Sequence, residues 1–246
     1  MTMSVFLKSW LPVCCVGGYF VRNTYNWDKA ESTQFWYLIK DEYGGIEELP
    51  RKVRNQVKKS LKTYEVRKVS ASEMAEKGYD LYNRSRERFQ NSSLLLTKES
   101  FAGWVNNPRR CCWLSIHRET GNAMAFAIVS EHPDYCDYTS MGVDPNAPSS
   151  TYPMYGLLME MNRYYLEECG MKYVLDGARS ITEHSNIQSF LEEKFLFRKA
   201  YCDIKIYYRP WIRVIVKLLF PFRRHITHGK VVALLNQEAM QRGLNI

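Results

Sequence analysis

One stretch limits the fold of this chain more than any other: residues 173–208, YVLDGARSITEHSNIQSFLEEKFLFRKAYCDIKIYY. Tyr173 to Leu175 is a short apolar run of strand formers that ends at Asp176-Gly177. A polar loop follows from Ala178 to Ser185. Asn186 to Phe195 then reads as a helix, and Tyr201 to Tyr208 alternates apolar side chains in the manner of a strand. Strand, polar loop, helix and strand in that order build a site at the carboxyl end of the first strand. The loop gathers Asp176, Arg179, Thr182, Glu183, His184 and Ser185, the densest set of chemically capable side chains in the sequence.

The preceding residues supply the rest of a sheet. Cys111 to His117 and Ala123 to Ser130 form a hairpin around Glu119-Thr120-Gly121-Asn122, and Cys136 to Val143 is a third strand. Tyr152 to Cys169 is a helix carrying Met154, Leu158, Met161 and Tyr165 along one side, with Gly170 just past its end. Earlier still, Gly17 to Asn23 and Thr33 to Asp41 read as strands joined by a polar connection over Trp27 to Ser32. Pro50 opens a basic helix from Arg51 to Thr63 with Val53, Val57 and Leu61 as its apolar stripe. Tyr64 to Val69 is a strand. Ser72 caps a helix running to Phe89, and Thr97 caps a short one that Asn106-Asn107-Pro108 stops. After Tyr208, Trp211 to Phe220 is an apolar helix closed by Pro221, and Gly229 to Gln241 is the last. The expected division is 1–49 as N-terminal strands packing on a core, 50–208 as the core, and 209–246 as a helical extension.

From Cys111 to Tyr208 the order is thus β-β-β-α-β-α-β, with Asn186 opening the last helix and Phe197 following it. This pattern resembles the C-terminal part of the GNAT acyltransferase superfamily. Leu196 stands where members carry a Gly, and Glu192 where many carry a Tyr that protonates the leaving thiolate. The segment LPRKVRNQVKKSLKTYEVRKVS, residues 49–70, resembles the start of acceptor domains in Fem-type aminoacyltransferases, of whose two domains this chain has room for one. The resemblance implies an α+β (α/β/α) fold with a mixed, mostly antiparallel sheet flanked by helices. It implies N-acyl transfer: two strands part near Gly142 and Leu175, an acyl group lies in the gap, and an amine attacks its carbonyl. The donor is acyl-CoA or an aminoacyl-tRNA. Val143 and Pro145 match the phosphate-loop pattern of the superfamily, but Thr151 and Pro153 replace its glycines, and a proline has no N–H to offer a phosphate.

The residues carried over are Asp176, His184 and Glu192 as catalytic, and Val143, Ser149, Ser150, Thr151, Arg179, Asn186 and Arg198 as donor-binding. Five of these have a plain alternative. Asp176 caps its loop, His184 is solvated, Arg179 forms a salt bridge, Asn186 caps its helix, and Arg198 meets only solvent. The hydroxyls of Ser149, Ser150 and Thr151 stand in for the lost glycine N–H groups.

Charge narrows the partners. The formal net charge is +8, and the excess is clustered in Arg51–Lys68 and Arg198–Lys230. Two basic segments suit a cofactor's phosphates, RNA or an anionic membrane surface, the last two being the basis of an alternative reading as a non-catalytic GNAT-like module. Trp211 to Phe222 either packs on the sheet or lies in a membrane interface. The seven cysteines include no CxxC or zinc-ligand spacing, so no metal is expected, and their number is odd, which fits a reducing, cytoplasmic setting with a membrane-peripheral alternative. The opening MTMSVFLKSWLPVCCVGG reads as mature protein, since Lys8 interrupts its apolar run and bulky Val13 precedes Cys14. A hydrolase is disfavoured by the lack of a G-x-S-x-G elbow.

Overall fold

A computed structural model describes residues 20–87, 95–181 and 187–245. In chain order the described elements are β1 (Phe20–Lys29), β2 (Phe35–Lys40), α1 (Arg51–Thr63), β3 (Tyr64–Val69), α2 (Ala71–Lys77), α3 (Tyr79–Arg86) and α4 (Lys98–Val105). They continue with β4 (Arg110–His117), β5 (Ala123–Glu131), β6 (Tyr135–Val143), α5 (Pro153–Asn162), β7 (Tyr173–Ala178), α6 (Ile187–Phe195), β8 (Arg198–Tyr208), α7 (Pro210–Leu219) and α8 (Gly229–Gln241). The chain divides into two units. The larger holds Leu38–Gly177 and Ile187–Arg198; the smaller holds Met1–Tyr37, Ala178–Asn186 and Lys199–Ile246.

In the larger unit the strand order is β7-β6-β5-β4-β3. β3 to β6 pair antiparallel in sequence, and β6 pairs with β7 in parallel. Strict alternation along β4 sends Cys112, Leu114 and Ile116 to one face, where Met74, Leu81, Tyr82, Phe101 and Val105 of α2, α3 and α4 cover them. Trp113 lies between them in sequence and so points the other way, where its indole N–H donates to the Tyr165 hydroxyl at 3.0 Å. Helices thus flank a mixed, mostly antiparallel sheet, the α+β class expected from the sequence. α1 buries Val53, Val57 and Ser60, three and four residues apart, and exposes Arg51, Lys52, Lys58, Lys59 and Lys62.

Several boundaries differ from expectation for local reasons. Ser70, not Ser72, caps α2, its hydroxyl accepting from the Glu73 N–H at 3.1 Å. The expected long helix breaks at Gly78, where a Cβ would fall 2.7 Å from the Met74 carbonyl oxygen; its predicted end at Phe89 lies outside the described residues. α5 ends in a π-helical turn over Arg163–Glu168. The Thr97 cap forms as expected, accepting from the Ser100 N–H at 3.2 Å.

In the smaller unit β1 pairs antiparallel with β8 from Phe20↔Tyr208 to Lys29↔Tyr201. β1 runs past the predicted end at Asn23 because Asn26 and Asp28 adopt left-handed backbone (φ 53° and 54°) and absorb a register shift. Both residue types tolerate that conformation, and the Asn26 amide donates to the Asp203 carboxylate at 2.8 Å. α7 and α8 close on a core of Ile212, Val216, Phe220, Leu235 and Ala239.

Candidate active site at the parting of β6 and β7

β6 and β7 pair over three residues only: Tyr135↔Tyr173, Cys136↔Val174 and Asp137↔Leu175. On its other edge β6 stays paired with β5 as far as Val143↔Ala125. The cause lies in β6 itself. Ser130 pairs with Asp137 and Ile128 with Ser140, so two steps of β5 face three of β6. The extra residue makes a β-bulge at Tyr138-Thr139, directly after the last β6–β7 pair. A bulge bends its strand and raises the local twist, which carries the rest of β6 off the line of β7. The Thr139 side chain ties it down, its hydroxyl lying 2.9 Å from that of Ser130. Gly142, further along, meets α3 closely: a Cβ there would come 2.7 Å from the Ser85 hydroxyl and strike the Phe126 ring.

Tyr138 and Asp176 are the first residues past the last pair. Tyr138 is buried and its hydroxyl donates to Asn162 Oδ1 on α5 at 2.8 Å; burial pushes its pKa well up. Asp176 is crowded by protein while keeping part of its surface open to solvent. Burial, with the charge of Asp137 beside it, raises its carboxyl to about 7, against a smaller opposing effect of a hydrogen bond from Gln188 at the start of α6. Burial also raises Asp137. A carboxylate poised near neutrality beside an opening in a sheet can accept a proton from an amine.

The loop between β6 and α5 is committed internally. Val143 is the last β6 residue paired with β5. Ser149 and Ser150 are exposed on a 3-10 turn. Thr151 donates its hydroxyl to the Pro148 carbonyl at 2.6 Å and so accepts from the Tyr64 hydroxyl at 2.5 Å. Tyr152 is left-handed (φ 56°), a strained state for a tyrosine. Behind it Pro153 brings no N–H, the Tyr155 N–H goes to the Tyr152 carbonyl at 2.9 Å, and the Gly156 N–H goes to Ser60 Oγ of α1 at 3.1 Å. The donors that a helix start usually offers an anion are here largely taken by the chain itself.

The remaining predicted residues are dispersed. Glu192 is exposed on α6. Arg198 pairs with Asp41 through Nε, 3.1 Å from each carboxylate oxygen. Arg179 belongs to the smaller unit, where its N–H bonds the Trp36 carbonyl and its guanidinium the Gln34 carbonyl, at 2.9 and 2.8 Å; burial lowers its pKa. His184 and Asn186 lie outside the described residues. Tyr138, Asn162, Gln188 and Ser60 were not singled out by the sequence. Tyr138 alone carried a usable signal, since alternation along β6 turns it inward. Among the described residues, no group of three or more His, Cys, Asp or Glu could hold a metal ion.

No protein-family model matches the sequence, and no curated protein matches it. Solved structures do. The crystal structure of FemX superposes with a TM-score of 0.58 at 10% identity, over 85% of this chain and 70% of that one. L-PGS from Bacillus licheniformis gives 0.52 at 13% identity, over 91% of this chain and 68% of that one. At such identities the likeness speaks for the fold alone. The chain has a GNAT/Fem-like fold.

Proposed function

We propose that this protein is an N-acyltransferase that moves an aminoacyl group from a charged tRNA to an amine, with the reaction centred where β6 and β7 part. What carries the reading is the place of Asp176, the first β7 residue past the pairing with β6, where burial raises its carboxyl to about 7. The amine nitrogen attacks the ester carbonyl and forms the new C–N bond. Asp176 accepts the proton that the nitrogen sheds and returns it to the 3′ oxygen as the C–O bond to the tRNA breaks.

The choice of charged tRNA over acyl-CoA is supported by two features of the larger unit. Pro153, Tyr155 and Gly156 offer little to a pyrophosphate, since two of their N–H groups are spent and the third is missing. α1, which spends one of them through Ser60, exposes Arg51, Lys52, Lys58, Lys59 and Lys62 to solvent. A row of bases along a helix suits a nucleic-acid backbone.

The test is to incubate the full-length protein with a charged-tRNA pool or with acyl-CoA, each with peptides presenting α- and ε-amines. Transfer from charged tRNA is expected, and Asp176→Asn should slow it by about 100-fold or more without weakening tRNA binding. Transfer from acyl-CoA alone would reverse the donor assignment. Salt-sensitive tRNA binding with no transfer from either donor would leave a binding module in its place.

A further inference from the structure

A helix on a water-soluble protein normally buries one apolar stripe and turns polar side chains outward. α7 does not. Ile212 and Val216, with Phe220 just behind, are buried against Leu235 and Ala239. Trp211, Val214, Ile215 and Leu218 recur at the same three- and four-residue spacing on another side, and with Phe222 they keep between 41% and 66% of their surface exposed. An apolar patch of this extent marks a contact surface.

The charges around the patch select the partner. Arg213 and Lys217 are exposed four residues apart on α7, and Arg224 and Lys230 are exposed beyond the turn. Residues 209–230 contain no Asp or Glu. A groove of about 870 Å³ beside α7 adds Lys205 to Arg213 and Lys217 on its wall, where the one carboxylate, Glu238, is paired with Arg242. An apolar arc rimmed by cations, with a tryptophan at one end, matches the boundary of an anionic bilayer, where acyl chains lie under negative headgroups. Ten residues of helix extend about 15 Å, half of the roughly 30 Å of hydrocarbon in a membrane. Among the described residues, no helix is long and apolar enough to cross a membrane. The helix would therefore lie in the plane of the interface.

We propose that α7 and the turn Phe220–His225 dock in the plane of an anionic lipid surface, with Trp211, Val214, Ile215, Leu218 and Phe222 entering the acyl-chain boundary. This inference stands apart from the transfer reaction and does not use Asp176.

The experiment is co-sedimentation of the full-length protein with phosphatidylcholine vesicles, with and without phosphatidylglycerol. The expected result is roughly tenfold or greater preference for the anionic vesicles, declining as salt is raised. Leu218→Glu with Phe222→Glu should reduce that binding by roughly tenfold or more. Arg213→Gln with Lys217→Gln should remove most of the anionic preference. All four side chains are at the surface or its edge, and thermal melts overlaying wild type confirm that the variants fold. Wild type that ignores anionic vesicles overturns the proposal. So does a Leu218→Glu/Phe222→Glu variant that binds them as wild type does, whether its altered patch changes self-association, RNA binding or nothing.

Discussion

Tyr138 and Asp176 are the first residues on their strands beyond the last β6–β7 pair, Asp137↔Leu175. Tyr138 sits in the bulge that separates the strands, and its environment feels the charge of Asp176. The bulge thus does two things at once. It opens a gap between two neighbouring strands, and it leaves a half-buried carboxyl at the mouth of that gap.

Stability should carry the mark of Asp176. Folded, this carboxyl holds its proton up to about pH 7; unfolded, only to about pH 4. Between those values the folded state binds more protons, so its contribution makes stability fall as pH rises from about 4 to 7 and then level off. Asp137 is shifted in the same direction. Asp176→Asn should flatten this part of the profile, gaining stability relative to wild type at pH 8 more than at pH 5. Denaturant melts across that range check it, and parallel profiles for the two proteins would contradict the assignment.

The Tyr138–Asn162 bond is a buried pair whose loss leaves a polar group stranded. Tyr138→Phe should cost about 1–2 kcal/mol, because the Asn162 carbonyl then lacks its donor in a dry site. Tyr138→Phe with Asn162→Leu should cost less than the two single changes added together. Chemical denaturation of the four proteins measures the coupling.

Ser60 and Gly156 should show coupling of a mixed kind. A methyl at position 156 would meet Ser60 Oγ at 2.6 Å, so Gly156→Ala is expected to cost about 1–3 kcal/mol by overpacking. Ser60→Ala removes the acceptor of the Gly156 N–H and should cost about 1 kcal/mol. In the double variant the closest clash is relieved, leaving Leu61 Cδ2 at 3.1 Å and Ser60 Cβ at 3.2 Å, so its loss should fall below the sum of the singles. Thermal melts decide this.

The bases of α1 should set the salt response of tRNA binding. Changing Lys58, Lys59 and Lys62 to Gln removes three exposed charges from one helix. If each meets a phosphate, the slope of log affinity against log salt should drop by about 2–3. Filter binding at several salt concentrations measures it, with an unchanged slope placing the tRNA elsewhere.

Much of the fold could be read from residues 111–208, where alternation fixed β4 to β6 and the change from a two-residue to a helical period marked α5 and α6. Asp176 could be seen because a carboxylate at a strand end is conspicuous. The bulge could not, since neither Tyr138 nor Thr139 is a glycine or proline; what makes it visible is the register of Ser130 and Ile128 on a neighbouring strand. Nor could the fate of the α5 N–H groups. The sequence showed that Pro153 lacks a donor, but Ser60 lies 96 residues from Gly156, and only folding brings the hydroxyl there. Nor does the sequence reveal that Arg198, a donor-binding candidate, pairs with Asp41, which is likewise distant in sequence.

The most direct measurement is single-turnover aminoacyl transfer from charged tRNA to an amine-bearing peptide, followed from pH 5 to 9 for wild type and Asp176→Asn. The rate for wild type should rise through about pH 7 as the carboxylate forms, and the variant should be slower by about 100-fold or more with that limb gone. A variant that transfers as fast as wild type, with the same pH dependence, would contradict the placement of the chemistry at the parted strands.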